Sequence, residues 1–280
     1  MILPLIAYPA INPVALKFGP VSVRWYGLAY LAGFVVAGSV MRWLVKRWGV
    51  ELSDDDQLTV VLAAVIGLIV GARLGYVLVY GNGYFWAHPA SALAIWDGGM
   101  SFHGGLVGVL IAGWAVSRVV RAPFLTLCDM GAVGAPIGLF LGRTANFING
   151  ELWGRVTTVP WAMVFPGAGP YPRHPSQLYE ALLEGLVLFA VMMWLATRAR
   201  PFPRGVMLGW LLTIYGVFRI FVEFFRQPDV QMGAGGFFAG WLTTGMVLSV
   251  PVVLAGAALI VWASRAGLPE TGRDTSSSKG

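Results

Sequence analysis

GRTANFINGELWG, residues 142 to 154, places an arginine, two asparagines and a glutamate in quick succession at the end of a strongly apolar run. Polar groups removed from water cost several kcal/mol unless they find partners. The segment therefore either caps a helix in water or holds something polar, and the sequence on both sides decides which.

Upstream lies an apolar stretch of helical length, at about 124–142. Six more follow the same rule of about 20 mainly apolar residues per crossing, at about 21–43, 57–80, 98–117, 177–197, 205–225 and 238–262. The composition agrees. A mean hydropathy of +0.72, with 57% hydrophobic and 11% charged residues, lies far from the roughly 25% charged content of soluble domains. The expected fold is an all-α integral membrane protein of seven transmembrane helices. A single cysteine, Cys128, excludes an internal disulfide.

Eleven of the nineteen basic residues fall on one side of this scheme: Arg42, Lys46, Arg47, Arg118, Arg121, Arg198, Arg200, Arg204, Arg265, Arg273 and Lys279. The positive-inside tendency makes that side cytoplasmic, with the N-terminus outside and the C-terminus inside. The domain reading is an interfacial arm over 1–20, helices one to four over 21–142, a small periplasmic head over 143–176, helices five to seven over 177–264 and a disordered cytoplasmic tail over 265–280. The other eight basic residues, Lys17, Arg24, Arg73, Arg143, Arg155, Arg173, Arg219 and Arg226, lie toward the outer face. Topology does not ask for them there, so an anionic ligand or a carboxylate network is expected. The net charge of +6 does not indicate nucleic acid, because no basic block with interleaved aromatics is present.

The third span opens GGMSFHGGLVG and sets His103 near the outer end among glycines 98, 99, 104, 105 and 108. Each glycine costs a helix about 1 kcal/mol, which close approach of another helix or of a headgroup would explain. In the sixth span Tyr215, Arg219 and Glu223 recur every four residues and share one face. Arg219 and Glu223 either pair with each other or present a fork to a phosphodiester. Arg143, Asn146 and Glu151 likewise read as a capped helix end or as part of a site. HPSQLYE, 174 to 180, reads mainly as a helix start, with Ser176 as cap and Tyr179 at the interface. Tyr26 is an aromatic at the same outer level. Three histidines and one cysteine give no metal-ligand spacing, and neither a phosphate loop nor a nucleophile elbow is present. No metal or cofactor is expected.

These residues resemble the prolipoprotein diacylglyceryl transferases. GRTANFINGELWG at 142–154, HGG at 103–105, HPSQLYEA at 174–181 and YGVFRIFVEFFRQPD at 215–229 are similar to that family's motifs in the same order, with Gln227 where an acidic residue is expected. The resemblance implies an inner-membrane enzyme that moves the diacylglyceryl group of phosphatidylglycerol to the lipobox cysteine of a preprolipoprotein, releasing glycerol phosphate. It implies important roles for Tyr26, His103, Arg143, Asn146, Gly154 and Arg219, with Glu151 and Glu223 supporting and Tyr215 on the substrate-facing stripe. The implied partners are phosphatidylglycerol, the lipobox-bearing signal peptide and membrane lipids. Arg143 and Arg219 would clamp the phosphate, and His103 would take the thiol proton or position the headgroup. A transporter and a non-catalytic anionic-lipid scaffold are the competing classes. A transporter predicts polar residues at mid-membrane or on both faces, and a scaffold predicts lipid binding without a thioether product.

Overall fold

The computed structural model describes residues 6–9, 11–19, 21–81, 83–198, 202–228, 237–239 and 241–269. Seven helices among them are long and apolar enough to cross a membrane. In chain order the elements are β1 Val14–Phe18, β2 Val21–Arg24, α1 Trp25–Trp48, α2 Asp54–Tyr80, α3 Tyr84–Ala87, two 3₁₀ turns, α4 Phe102–Val119 and α5 Phe124–Asn149. The fifth span, Ser176–Ala196, consists of α6 Ser176–Glu180, a π-helical segment Ala181–Val187 and α7 Leu188–Ala196. Then come α8 Val206–Glu223, β3 Phe237–Ala239, β4 Leu242–Thr243 and α9 Thr244–Ala266. The expected tail beyond residue 269 lies outside the described residues.

Several boundaries differ from the sequence expectation: the third span opens at Phe102 rather than 98, and the seventh at Thr244 rather than 238, where β3 and β4 stand. The first span begins at Trp25 because residues 14 to 24 form a hairpin, β1 against β2. The fourth helix does not stop at 142 but continues through Asn149, so Arg143 and Asn146 stand on its last two turns instead of in a head loop. No glycine or proline interrupts TANFIN, and Tyr8 serves the exposed helix end: its hydroxyl lies 2.7 Å from the Phe147 carbonyl and 2.9 Å from that of Ile148. Carbonyls of the last turn have no intrahelical donor, and the tyrosine supplies one. Its ring packs with Phe147 and Phe165 in a small core that includes Trp153, Met163 and Leu178. Burial raises the Tyr8 phenol above its ordinary value.

The chain divides into two compact units, one of residues 1–40 and 129–269 and one containing residues 41–128. In the second unit, α2 and α4 meet along glycines. A Cβ built on Gly75 would lie 2.7 Å from the Gly104 Cα, and one on Gly71 would lie 2.7 Å from the Gly108 Cα. The sequence expectation of a close helix approach thus holds for Gly104 and Gly108, the small-residue contact by which helices associate in lipid. Gly98 and Gly99 serve another purpose, with φ of 81° and 75° in the turn before α4.

In the first unit, α8 packs on α9. A Cβ on Gly256 would lie 2.7 Å from the Gly209 carbonyl oxygen. The start of α8 is held by buried Asp129 of α5, whose carboxylate accepts from the Gly205 N–H and, at 2.6 Å, from that of Leu208. A carboxylate at a helix N-terminus satisfies open N–H groups and complements the dipole.

Candidate functional site

Arg143 lies on α5, Arg219 on α8, and both reach carboxylates of the fifth span. Arg143 Nε is 2.8 Å from Glu180 Oε2, and Arg219 Nη1 is 3.8 Å from that same oxygen and 3.8 Å from Glu184 Oε1. Arg219 Nη2 pairs with its own-helix neighbour Glu223, 3.1 Å from Oε2 and 3.2 Å from Oε1. One carboxylate oxygen therefore stands between two guanidiniums from different helices. The glutamate side chains of 180 and 184 are fully buried, whereas the arginines keep 19% and 12% of their side-chain surface exposed. The cluster is thus open only on its cationic side.

Its hydrogen bonding is unfinished. Both oxygens of Glu180, both of Glu184, Oε2 of Glu223 and Nη1 of Arg219 have no hydrogen-bond partner among the described residues. Buried polar groups are nearly always paired, and an arginine inside a membrane-spanning segment costs at least ~2.5 kcal/mol on insertion scales. The cluster's one unpartnered donor among the described residues, Arg219 Nη1, and the exposed edges of the two guanidiniums are what an anionic ligand can engage, whereas the five carboxylate oxygens call for donors.

The fifth span is shaped to deliver these carboxylates. Its π-helical segment begins directly after Glu180 and contains Glu184; such segments occur often at functional sites. Gly185 sits against the α5 backbone, where an added Cβ would lie 2.6 Å from the Phe140 Cα. A larger residue there would hold the span away from Arg143, less than one helical turn on.

Around the arginines, Asn146 Oδ1 accepts from Arg143 Nη1 at 3.5 Å, and its Nδ2 donates to Glu151 Oε1 at 2.9 Å. Asn149 donates to the same Glu151 oxygen at 3.1 Å. Buried Gln177 fixes the turn by donating to the Glu151 carbonyl at 2.6 Å. Tyr215 lies on α8 one turn before Arg219, within electrostatic reach of both arginines and of Glu184. Tyr26 joins through Tyr30: their rings meet edge-on at 5.1 Å, and Tyr30 is within reach of the Arg143 charge.

Gly154 has a different task. Its N–H donates to the His174 carbonyl at 2.9 Å, and the next N–H donates to Phe225 at 2.9 Å. A Cβ there would lie 2.6 Å from both carbonyl oxygens, so only glycine fits between the two strands. Gly154 therefore ties the segment after α5 to the ends that precede α6 and follow α8.

His103 belongs to the unit of residues 41–128. It is exposed in the first turn of α4, edge-on to Phe102, while Ser101 caps the helix by accepting from the Gly104 N–H at 3.2 Å.

Three sequence expectations need correction. Outer-face arginines do not all serve anions: Arg73 donates to the carbonyls of Ser91, Ala92, Gly98 and Gly99, and Arg173 to those of Gly154 and Ala168. Irregular segments leave carbonyls without ladder partners, and a guanidinium has five donors to supply. Ser176 is not a cap; it is the buried first residue of α6 and donates to the Leu152 carbonyl at 3.2 Å. Third, HPSQLYE is more than a helix start, because its last residue is Glu180. Glu180 and Glu184 escaped the sequence reading, although two acidic residues one turn apart in an apolar span were a visible signal.

Outside the spans, His174 is shifted below the ordinary imidazole value by burial. Its Nδ1 lies 3.1 Å from the Tyr179 hydroxyl, which also accepts from Trp161 Nε1 at 2.6 Å. His174, Tyr179 and Phe225 form an aromatic cluster beside Gly154.

Comparison with known proteins shows the family. The family model described as prolipoprotein diacylglyceryl transferase matches residues 13–262. Among curated relatives, the phosphatidylglycerol–prolipoprotein diacylglyceryl transferase of Geobacter sulfurreducens is 49% identical over 92% of this chain and 97% of its own length. Those of Oleidesulfovibrio alaskensis and Coxiella burnetii are 48% and 47% identical, each over 93% of this chain and 96% and 98% of their own. With seven apolar spans and a family match that runs through them from residue 13 to 262, this multi-pass membrane protein belongs to the prolipoprotein diacylglyceryl transferase family.

Proposed function

We propose that the chain transfers the diacylglyceryl group of phosphatidylglycerol to the thiol of a lipobox cysteine, in the bacterial inner membrane with its site toward the periplasm. The reaction forms a carbon–sulfur bond, breaks the carbon–oxygen bond to phosphate and releases glycerol phosphate. The observation that carries the reading is the meeting of Arg143 and Arg219 at one Glu180 oxygen, with Arg219 Nη1 still without a hydrogen-bond acceptor among the described residues.

In this mechanism the two guanidiniums bind the phosphodiester and stabilise the charge that grows as the phosphate leaves. Fixed donors in a site shielded from water do this more effectively than water does. Asn146 orients Arg143 and is itself held by Glu151; Glu223 orients Arg219. Tyr215 and Tyr26 line the headgroup's surroundings. Gly154 acts by holding the strand that follows α5. His103 accepts the thiol proton, imidazole being the side chain suited to proton transfer near neutrality.

The test is purified protein in phosphatidylglycerol-containing nanodiscs with a lipobox peptide. The account predicts a peptide mass increase of one diacylglyceryl group with release of glycerol phosphate. Lipid binding by folded protein without that product would favour the scaffold reading.

A further inference from the structure

The carboxylates that hold the two arginines create a charge problem for any anionic lipid. Glu184 is faced by Glu180 on its own helix, by Arg143 from α5, by Arg219 and Tyr215 from α8, and by Arg226 just beyond α8. Glu223 completes the set through Arg219. Within the ion-paired set itself, the three carboxylates Glu180, Glu184 and Glu223 already engage both Arg143 and Arg219. A phosphodiester that binds these two arginines brings a further negative charge beside buried carboxylates. Removing such a charge from water is costly, and the usual escape is protonation of a carboxylate.

The three carboxylates are not equal candidates. Glu180 has Arg143 at 2.8 Å and Glu223 has Arg219 at 3.1 Å. The closest ion-pair contact of Glu184 is 3.8 Å, and neither of its oxygens accepts a hydrogen bond. The group facing it is Arg219 Nη1, itself without a hydrogen-bond acceptor and thus the donor a phosphate would draw away. Ligand binding weakens what little compensation Glu184 has.

We infer that the phosphodiester headgroup binds together with one proton, which Glu184 takes up as the lipid engages Arg143 and Arg219. The inference rests on the proposed headgroup site. The balance is simple: protein, lipid monoanion and one proton combine, and the net charge of the cluster is unchanged. Protonated Glu184 also becomes a donor, able to bond a neighbouring oxygen that lacks one. By linkage, uptake of one proton makes the lipid dissociation constant fall about tenfold for each unit by which the pH is lowered.

The experiment is calorimetric titration of short-chain phosphatidylglycerol into the full chain in detergent, in two buffers of different ionisation enthalpy, between about pH 6 and pH 9. The expected result is up to about one proton taken up per lipid bound. Glu184→Gln, a neutral mimic of the protonated acid, should bind with that uptake lost and with an affinity nearly independent of pH. Saturable binding of wild-type protein with no net proton exchange overturns the inference while leaving the headgroup site intact. Undiminished uptake in Glu184→Gln overturns the assignment to Glu184. Absence of lipid binding by folded wild-type protein overturns the headgroup site and the inference together.

Discussion

Arg143 Nε and Glu180 Oε2 stand 2.8 Å apart, joining the end of α5 to the start of the fifth span. A buried carboxylate that loses its cation is left with an uncompensated charge, typically a 3–5 kcal/mol penalty. Arg143→Ala should therefore lower both activity and thermal stability in detergent, whereas Arg143→Ala combined with Glu180→Gln should recover most of the stability and none of the turnover. Recovery of turnover in the double variant would show that Arg143 acts only on Glu180.

Arg219→Lys separates charge from geometry. Lysine keeps the cation but loses the planar fork that spans Glu223 on one nitrogen and faces Glu180 and Glu184 on the other. A fall in kcat/KM of about 10²-fold or more is expected, in line with loss of one preorganised transition-state donor. Steady-state kinetics with a lipobox peptide would measure it.

Gly154→Ala should destabilise the segment that crosses between His174 and Phe225. The added Cβ would lie 2.6 Å from two backbone carbonyl oxygens, so backbone must move, at a cost of about 1–3 kcal/mol or more. A lowered unfolding temperature and faster hydrogen exchange around residues 154–174 are the expected readouts. Unchanged exchange would contradict the role assigned to this glycine.

The site was only half legible in the sequence. Arg219 and Glu223 announced themselves by spacing, and Arg143 and Asn146 by their polarity at the end of an apolar run. Glu180 and Glu184 were hidden because HPSQLYE satisfies the rules for a helix start, and a local explanation ended the search. The π-helical turn that aims them depends on packing of Gly185 against Phe140, a tertiary fact that periodicity does not carry. The fold was more accessible, since crossing length and composition specify seven spans. The hairpin before α1 is a local pairing of residues 14 to 24, whereas the end of α5 draws on a partner far along the chain, Tyr8 on Phe147.

Protonation of His174 gives a pH dependence of known sign. Burial holds its folded-state value below the ordinary imidazole range, so the unfolded chain binds the proton more readily. The stability that neutral His174 contributes is complete above about pH 6.5, the ordinary value, and is lost as pH falls through the lowered one. The protection of amides at residues 154–174 against hydrogen exchange, relative to their intrinsic rates at each pH, should fall as the pH drops below about 6.5, and His174→Gln should flatten that dependence.

Arg73→Ala should loosen the segment before α4 without touching the arginine pair. Its guanidinium serves four carbonyls between Ser91 and Gly99, and hydrogen bonds to charged groups are worth about 1.5–3 kcal/mol each. Limited proteolysis within residues 88–99 should increase in the variant.

The central claim is that Arg143 and Arg219 hold one phosphate. An experimental structure of the full chain with phosphatidylglycerol bound tests it most directly. The account predicts both guanidiniums within about 3 Å of oxygens on the same phosphorus. A phosphate bound elsewhere, with the Arg143–Glu180 and Arg219–Glu223 pairs undisturbed, would contradict it.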